Sequence, residues 1–586
     1  YADTDYSFAR KGTLASNDVG NYGQILRNDK LNILAFDAAS HTVSVQNPLT
    51  SSTNITLSSA ADAAKLALTL HTHGAVSGVN GIQGNQYKNL LSSSVTITLT
   101  GDIDLRGSGV EQFTPSNEIM SFTGTINGNG KTLTLSHGES ARSNTEDNAN
   151  VGILKGDVNV RKFMGAFAAL SGATVKNLTV DGDVRHYADA PEGFFFGGLA
   201  CYATNSITID QCNTLLKINL SQGAATSGRS IYVGGLVGSI QKSAVKITNS
   251  TTKASIQQEN GCYGIWRVFL GGMVGRIDGV DQDVIFTGNT ISASITQNQN
   301  VTTAHVGGCF GDLLCNNYIN VDMTGTKAVK ASVTSASSTS AGGLIGHTVQ
   351  KCKLVLDGAW QGTVSSGNAS VGGLIYDLDG KLTVNSGFTV KGSAFTSNGG
   401  TKGILVGDGT QAFVVVNCDP SGFQTVTARG FDLFVGKNIT SRASMNVAAT
   451  GGLVSVETGA KNIGEIPENS AWYSMISARQ NSNTRYYFNI ARLDQAVTDH
   501  YKLNAVATYP AEVIYWHVYD YVQGALPDYV RGESFPAAIT DITGADKDID
   551  MTNYSFYPTK KEGVTFDFSG KKLTFGYTVA GLPRTG

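Results

Sequence analysis

The string Val-Gly-Gly-Leu-Val-Gly at 233–238 constrains this chain more than any other feature, because it keeps returning. It recurs as Gly271-Gly272-Met273-Val274-Gly275, Gly307-Gly308-Cys309-Phe310-Gly311, Gly342-Gly343-Leu344-Ile345-Gly346 and Gly372-Gly373-Leu374-Ile375. Weaker copies stand upstream at Gly197-Gly198-Leu199-Ala200 and downstream at Gly403-Ile404-Leu405-Val406-Gly407. The first glycines, at 197, 234, 271, 307, 342, 372 and 403, are 37, 37, 36, 35, 30 and 31 residues apart. A period in this range is the signature of stacked repeats, in which each unit buries its apolar face only against its neighbours.

The unit 233–256 shows what kind of repeat this is. Val233–Ile240 reads as one strand with two glycines near its start, and Val245-Lys246-Ile247 alternates apolar and polar up to a corner at Asn249-Ser250. Lys253–Ile256 reads as a third strand. Three short strands per turn with period-2 alternation predict a right-handed parallel β-helix, a solenoid of the pectin-lyase-like kind. The double glycine suits a sharp corner or a close approach of two turns. Composition agrees. Charged residues are 15% of the chain and 69 of 586 residues are glycine, against about 25% and 7% in ordinary globular proteins.

The chain divides around this repeat. Residues 1–57 form a strand-rich segment, and 58–94 contain the best helix candidate, Ala60–Leu70, with Ser59 as its cap and Asp62 at the third helical position. A helix there is expected to cover the open first turn. Residues 95–469 carry the solenoid, opening with Asp102-Ile103-Asp104-Leu105 and Gly128-Asn129-Gly130-Lys131-Thr132-Leu133. Residues 470–540 are an aromatic-rich junction. At 541–586 the opening elements return as Asp548-Ile549-Asp550-Met551 and Gly570–Phe575, so a second β-helix segment is expected to start.

With those elements in view, the chain resembles the GLUG-motif β-helix proteins. They are adhesin-like surface proteins of Gram-positive gut bacteria, and the same repeat forms the non-catalytic part of IgA-cleaving metallopeptidases. The resemblance covers about 95–450 and restarts near 541; it implies the fold and a secreted or cell-surface location. The metallopeptidases carry a His-Glu-x-x-His zinc site, and this chain has no such string.

Candidate chemistry is sparse. Asp102 and Asp104 lie two apart on a strand and share a face, as an acid/base pair would, but the pair is copied at Asp548 and Asp550 with the repeat, which suits architecture. Asp278, Asp281 and Asp283, and Asp377 with Asp379, are two acidic clusters; either could hold calcium, though neither has the spacing of a defined loop. His71 and His73 after the helix lack a third ligand in sequence. Seven cysteines without a Cys-x-x-Cys pair argue against zinc and against a full disulfide framework. Cys212, Ser250 and Asn289 occupy the same corner of successive turns and are expected to be small buried packing residues. No catalytic residue and no cofactor is assigned.

Net charge of −3 without a basic block excludes the usual nucleic-acid footprint, and no apolar run is long enough to span a bilayer. Tyr1 is not an initiator Met and no signal peptide is visible, so the chain reads as an excised portion of a longer product. Tyr515, Trp516, Tyr519 and Tyr521 form the candidate surface for a glycan or protein partner, although packing inside the junction between the two segments is the favoured reading of these aromatics. Leu582-Pro583-Arg584-Thr585-Gly586 fits a sortase signal, but it stands where the loop after Lys131–Leu135 stands in the first copy, and a loop of the second segment is the preferred reading. Together these features lead to the expectation of a non-enzymatic surface protein, an adhesin, stalk or head-to-tail filament subunit. The rival is a β-helix carbohydrate-active enzyme, a polysaccharide lyase or hydrolase, or a glycan-binding module; the enzyme would need a groove lined by carboxylates or a basic residue from adjacent turns.

Overall fold

The computed structural model describes residues 34–37, 42–45, 53–75, 90–106, 113, 121–135, 163–187, 194–221 and most of 229–431. Beyond these it describes separate strands at 444–449, 452–458, 484–488, 504–505, 542–543, 549–551 and 573–575. The chain folds as a parallel β-helix. In the turn that opens at residue 229, strands run over Arg229–Gly234, Val237–Gln241, Val245–Thr248, Thr251–Thr252 and Ser255–Gln258. Each is bonded in parallel to its equivalent one repeat later: Gly234 to Gly271, Val237 to Val274, Val245 to Val284, Thr251 to Thr290 and Ile256 to Ile295.

One strand is therefore two. The strand expected over Val233–Ile240 breaks at Gly235-Leu236, and the part before the break belongs to a separate eight-stranded sheet. The glycine pair is the fold-back between the sheets. A Cβ on Gly271 would run into the carbonyl oxygen of Val274 and lie 2.7 Å from that of Cys309. A Cβ on Gly272 would meet the carbonyl of Gly308 in the next turn. The first glycine is thus required by its own corner and the second by the turn stacked on it. Where the stack ends the second requirement relaxes: Ala166 and Ile404 stand at that position in the first and last pre-glycine turns of this sheet.

Ile231, Val233, Val237, Ile240, Val245 and Ile247 all belong to the core, each no more than 2% exposed. A fully buried aliphatic side chain contributes about 1.5–3 kcal/mol, but only because the neighbouring turns supply the walls. Register is held without a slip of face along a column that runs Asn54, Thr96, Thr125, Thr174, Thr208, Lys246, Ile285, Asp322, Val355, Thr383, Val415 and Asn446. After it the pairing turns antiparallel, Ser444–Ala449 with Gly452–Thr458 and then Thr484–Phe488, where the sequence rhythm breaks.

The helix runs over Ala60–Ala75 and packs its buried Ala63, Ala64, Leu66 and Ala67 on Ile55 and Leu57 of the first rung. Ser59 Oγ accepts from the Asp62 N–H at 3.2 Å, and the Asp62 carboxylate accepts from the Ser58 N–H at 2.9 Å. This capping arrests fraying at the helix N-terminus. The helix is longer than the expected Ala60–Leu70, because nothing in Leu70-His71-Thr72-His73 stops it before Gly74. His71 and His73 therefore sit in its last turns rather than in a following loop.

The Cys212–Ser250–Asn289 corner is buried as expected, each residue at 0% exposure, and it is also a ladder. The Cys212 N–H donates to Ser250 Oγ at 3.0 Å, the Ser250 N–H donates to Asn289 Oδ1 at 2.9 Å, and Asn289 Nδ2 donates to the Ile247 carbonyl. These side chains satisfy backbone groups that the corner leaves unpaired. Burial pushes the Cys212 thiol up to about 12, so it is an inert packing group. In the restarted segment, Ile549 and Asp550 pair in parallel with Leu573 and Thr574, as Ile103 and Asp104 pair with Leu133 and Thr134 in the first.

Candidate functional site

The fold-back at the glycine pair brings two ladders of side chains face to face outside the lumen. One column lies two residues before each first glycine: Phe195, Tyr232, Phe269 and His305 are consecutive rungs. The other lies five residues after it: Tyr202, Ser239, Arg276, Asp312, His347, Asp377 and Asp408. Flanking residues such as Ile231 and Val233 point inward, so Tyr232 and its equivalents point into the re-entrant angle.

The wall changes character along the rod. At one end the rings stack, Phe195 on Tyr232 at 4.5 Å and Tyr232 on Phe269 at 4.9 Å between centroids. Arg276 covers them, its guanidinium carbon 5.0 Å from the Phe269 centroid and 5.8 Å from that of Tyr232. Cation–π contacts of this kind contribute ~0.5–2 kcal/mol, depending on desolvation. Further on, His305 meets the Phe269 ring edge-on, and His305 and His347 lie 4.2 Å apart.

Asp312 is the hub. Its side chain is 3% exposed, and its Oδ1 lies 3.1 Å from His305 Nδ1 and 2.7 Å from His347 Nδ1. Its Oδ2 lies 3.4 Å from Arg276 Nε, and Arg276 also pairs with Asp278 at 3.2 Å. The second nitrogen of His347, Nε2, faces Asp377 Oδ2 at 3.7 Å. Burial alone would raise the Asp312 pKa, but the hydrogen bonds from both imidazoles and their charge outweigh it and bring it down to about 2. Burial also disfavours the charged form of each histidine. In His305 it prevails and the pKa falls; in His347 the Asp312 bond and the charges of Asp312, Asp377 and Asp379 win, and the pKa rises. His305, Asp312 and His347 are a group whose ligand atoms all lie within 4.8 Å of one another.

The motif-derived candidates fall elsewhere, with two exceptions. Asp102 accepts the Thr132 N–H at 2.8 Å, whereas Asp104 is held by Arg106, whose Nε donates to it at 2.9 Å and whose hydrogen bonds lower its pKa. Asp102 thus ties its turn to the strand Thr125–Thr134 while Asp104 is engaged by its near neighbour Arg106, so the two carboxylates do not converge on a substrate. Asp283 caps Asn320, accepting its N–H at 3.1 Å. Asp278 and Asp377 do reach the wall, at its rim. Tyr515, Trp516, Tyr519, Tyr521 and Leu582–Gly586 lie outside the described residues.

The cluster escaped motif reading because only His305 and Asp312 share a turn, seven residues apart across the glycine pair, while Arg276 and His347 come from the turns before and after. The signal was present all the same. Aligning the repeats on the first glycine and reading down the fifth residue after it gives Tyr, Ser, Arg, Asp, His, Asp and Asp, the one outward column that gathers charge. Comparison of the chain with protein-family models, curated proteins and solved structures gives no match.

Proposed function

We propose that the chain is a non-enzymatic surface protein of the GLUG-motif kind, in which a stiff β-helical rod serves as an adhesin or stalk. The observation that carries this is the unbroken register from Asn54 to Asn446 around one continuous core. Such a stack resists bending because every turn is bonded to the next along all of its strands. Among the described residues no helix is long and apolar enough to cross a membrane.

A second reading draws on the re-entrant wall. Arg276 and Asp278, Asp312, and Asp377 come from three of four successive turns, a clustering of charge that a β-helix carbohydrate-active enzyme would also use. The chemistry favours the rod. A carboxyl group with a pKa of about 2, 3% exposed and held by three basic side chains, is a poor proton carrier near neutral pH. Incubation of the full chain with a panel of host and plant polysaccharides, followed by product analysis, is expected to show retention of some glycans and no new ends. Turnover that disappears in Asp312→Asn would establish the enzyme instead.

A further inference from the structure

We propose that His305, Asp312 and His347 form a three-ligand site for a divalent transition-metal ion of the zinc class, built across two turns of the rod. The inference does not depend on what the rod binds. Two imidazole nitrogens and one carboxylate oxygen, with an open fourth position, are the donor set that zinc takes in three-ligand sites. All three side chains are mostly buried, and their atoms already converge. A tetrahedral ion with bonds of ~2.0–2.1 Å needs its ligand atoms ~3.3 Å apart, so the present 3.1 Å to His305 must open by ~0.2 Å and the 2.7 Å to His347 by ~0.6 Å. Rotation of the imidazoles supplies that.

The surroundings point the same way. A ligating histidine ordinarily turns its other nitrogen to a carboxylate, and His347 Nε2 faces Asp377. The carboxylate oxygen of Asp312 that would not bind the ion is turned to Arg276. Arg276 is itself countered by Asp278, so its charge does not oppose a cation. With Asp377 and Asp408 next on the same ladder, the column is net negative before any ion arrives. Imidazole ligands exclude the calcium considered for the neighbouring aspartates, since calcium takes oxygen.

The test uses the full chain, purified without a polyhistidine tag, stripped with chelator and titrated with CoCl2 and then ZnCl2. One equivalent of cobalt is expected to give the visible absorption of a four- or five-coordinate nitrogen–oxygen site, and zinc to displace it. His305→Gln and His347→Gln should abolish those bands while circular dichroism stays unchanged. Asp377→Asn, at the exposed rim, should keep the site but weaken it about 10-fold or more. The proposal falls if folded wild-type protein takes up no cobalt, if the spectrum carries thiolate charge-transfer bands from the cysteines, or if Asp377→Asn and both histidine variants bind as wild type does.

Discussion

Gly271→Ala will destabilise the protein by ~3 kcal/mol or more, or prevent folding, because the added methyl has nowhere to go. The obstacles are backbone, the carbonyl oxygens of Val274 and Cys309, and each is fixed by the stack on both sides. Relief would require opening the corner, which would break the pairing of Gly271 with both Gly234 and Gly307. Gly172→Ala separates this steric cost from the ordinary conformational one. Gly172 has φ of +65° and open space where a Cβ would sit, so alanine there costs only ~1–2 kcal/mol. Chemical denaturation of the two variants against wild type measures both. Equal losses would mean that the glycine pair is a matter of backbone preference rather than of close approach.

Asp312→Ala is expected to cost ~2–4 kcal/mol, because it removes the buried carboxylate that both mostly buried imidazoles bond and that Arg276 pairs with, leaving Arg276 only Asp278 and His347 only Asp377. Asp312→Asn keeps an acceptor oxygen in place and should cost less, ~1–3 kcal/mol. The pH dependence carries the sign. The folded-state pKa of Asp312 is about 2, below the ordinary 3.8, so its ionised form stabilises the fold. That contribution is fully present above 3.8 and is lost as pH falls through about 2. The stability gap between wild type and Asp312→Ala should therefore close between those values in metal-free protein. The histidines act nearer neutrality and in opposite senses. His347, with its pKa raised, contributes below 6.5 and loses that contribution as pH climbs through its folded value; His305, with its pKa lowered, contributes above 6.5 and loses it on acidification. A gap that stays constant down to pH 2 would show that Asp312 acts by shape alone.

How far these features were legible in the sequence follows from the period on which each is written. The solenoid could be read because glycine corners and alternating strands repeat locally, and the Ser59–Asp62 cap because both partners lie within one helical turn. The split of Val233–Ile240 into two strands could not be read from alternation, since a fold-back at glycine leaves the residues on either side apolar in pattern. His71 and His73 were misplaced because helix stop signals are weak and Gly74 was the first one available. The charged wall is the instructive case. Apart from His305 and Asp312, seven residues apart, its charged members follow one another at 30 to 36 residues, whereas a motif search looks for chemistry within a dozen. In a solenoid the neighbours of a side chain lie one period away, so the repeat itself has to be used as the coordinate. Read that way, Arg276, Asp312, His347 and Asp377 line up from sequence alone.

All of this rests on one repeat being one turn of the rod. Pulsed electron–electron resonance on spin labels carried by non-natural amino acids at Thr96, Lys246 and Thr383 tests it directly, since all three lie on the same column. Thr96 and Lys246 are four rungs apart and should be separated by ~19 Å, and Thr96 and Thr383 are eight rungs apart and should be separated by ~38 Å, at ~4.8 Å per rung. A second distance near twice the first is the result expected of an axial stack. Two similar distances, or a Thr96–Thr383 separation shorter than that to Lys246, would contradict it.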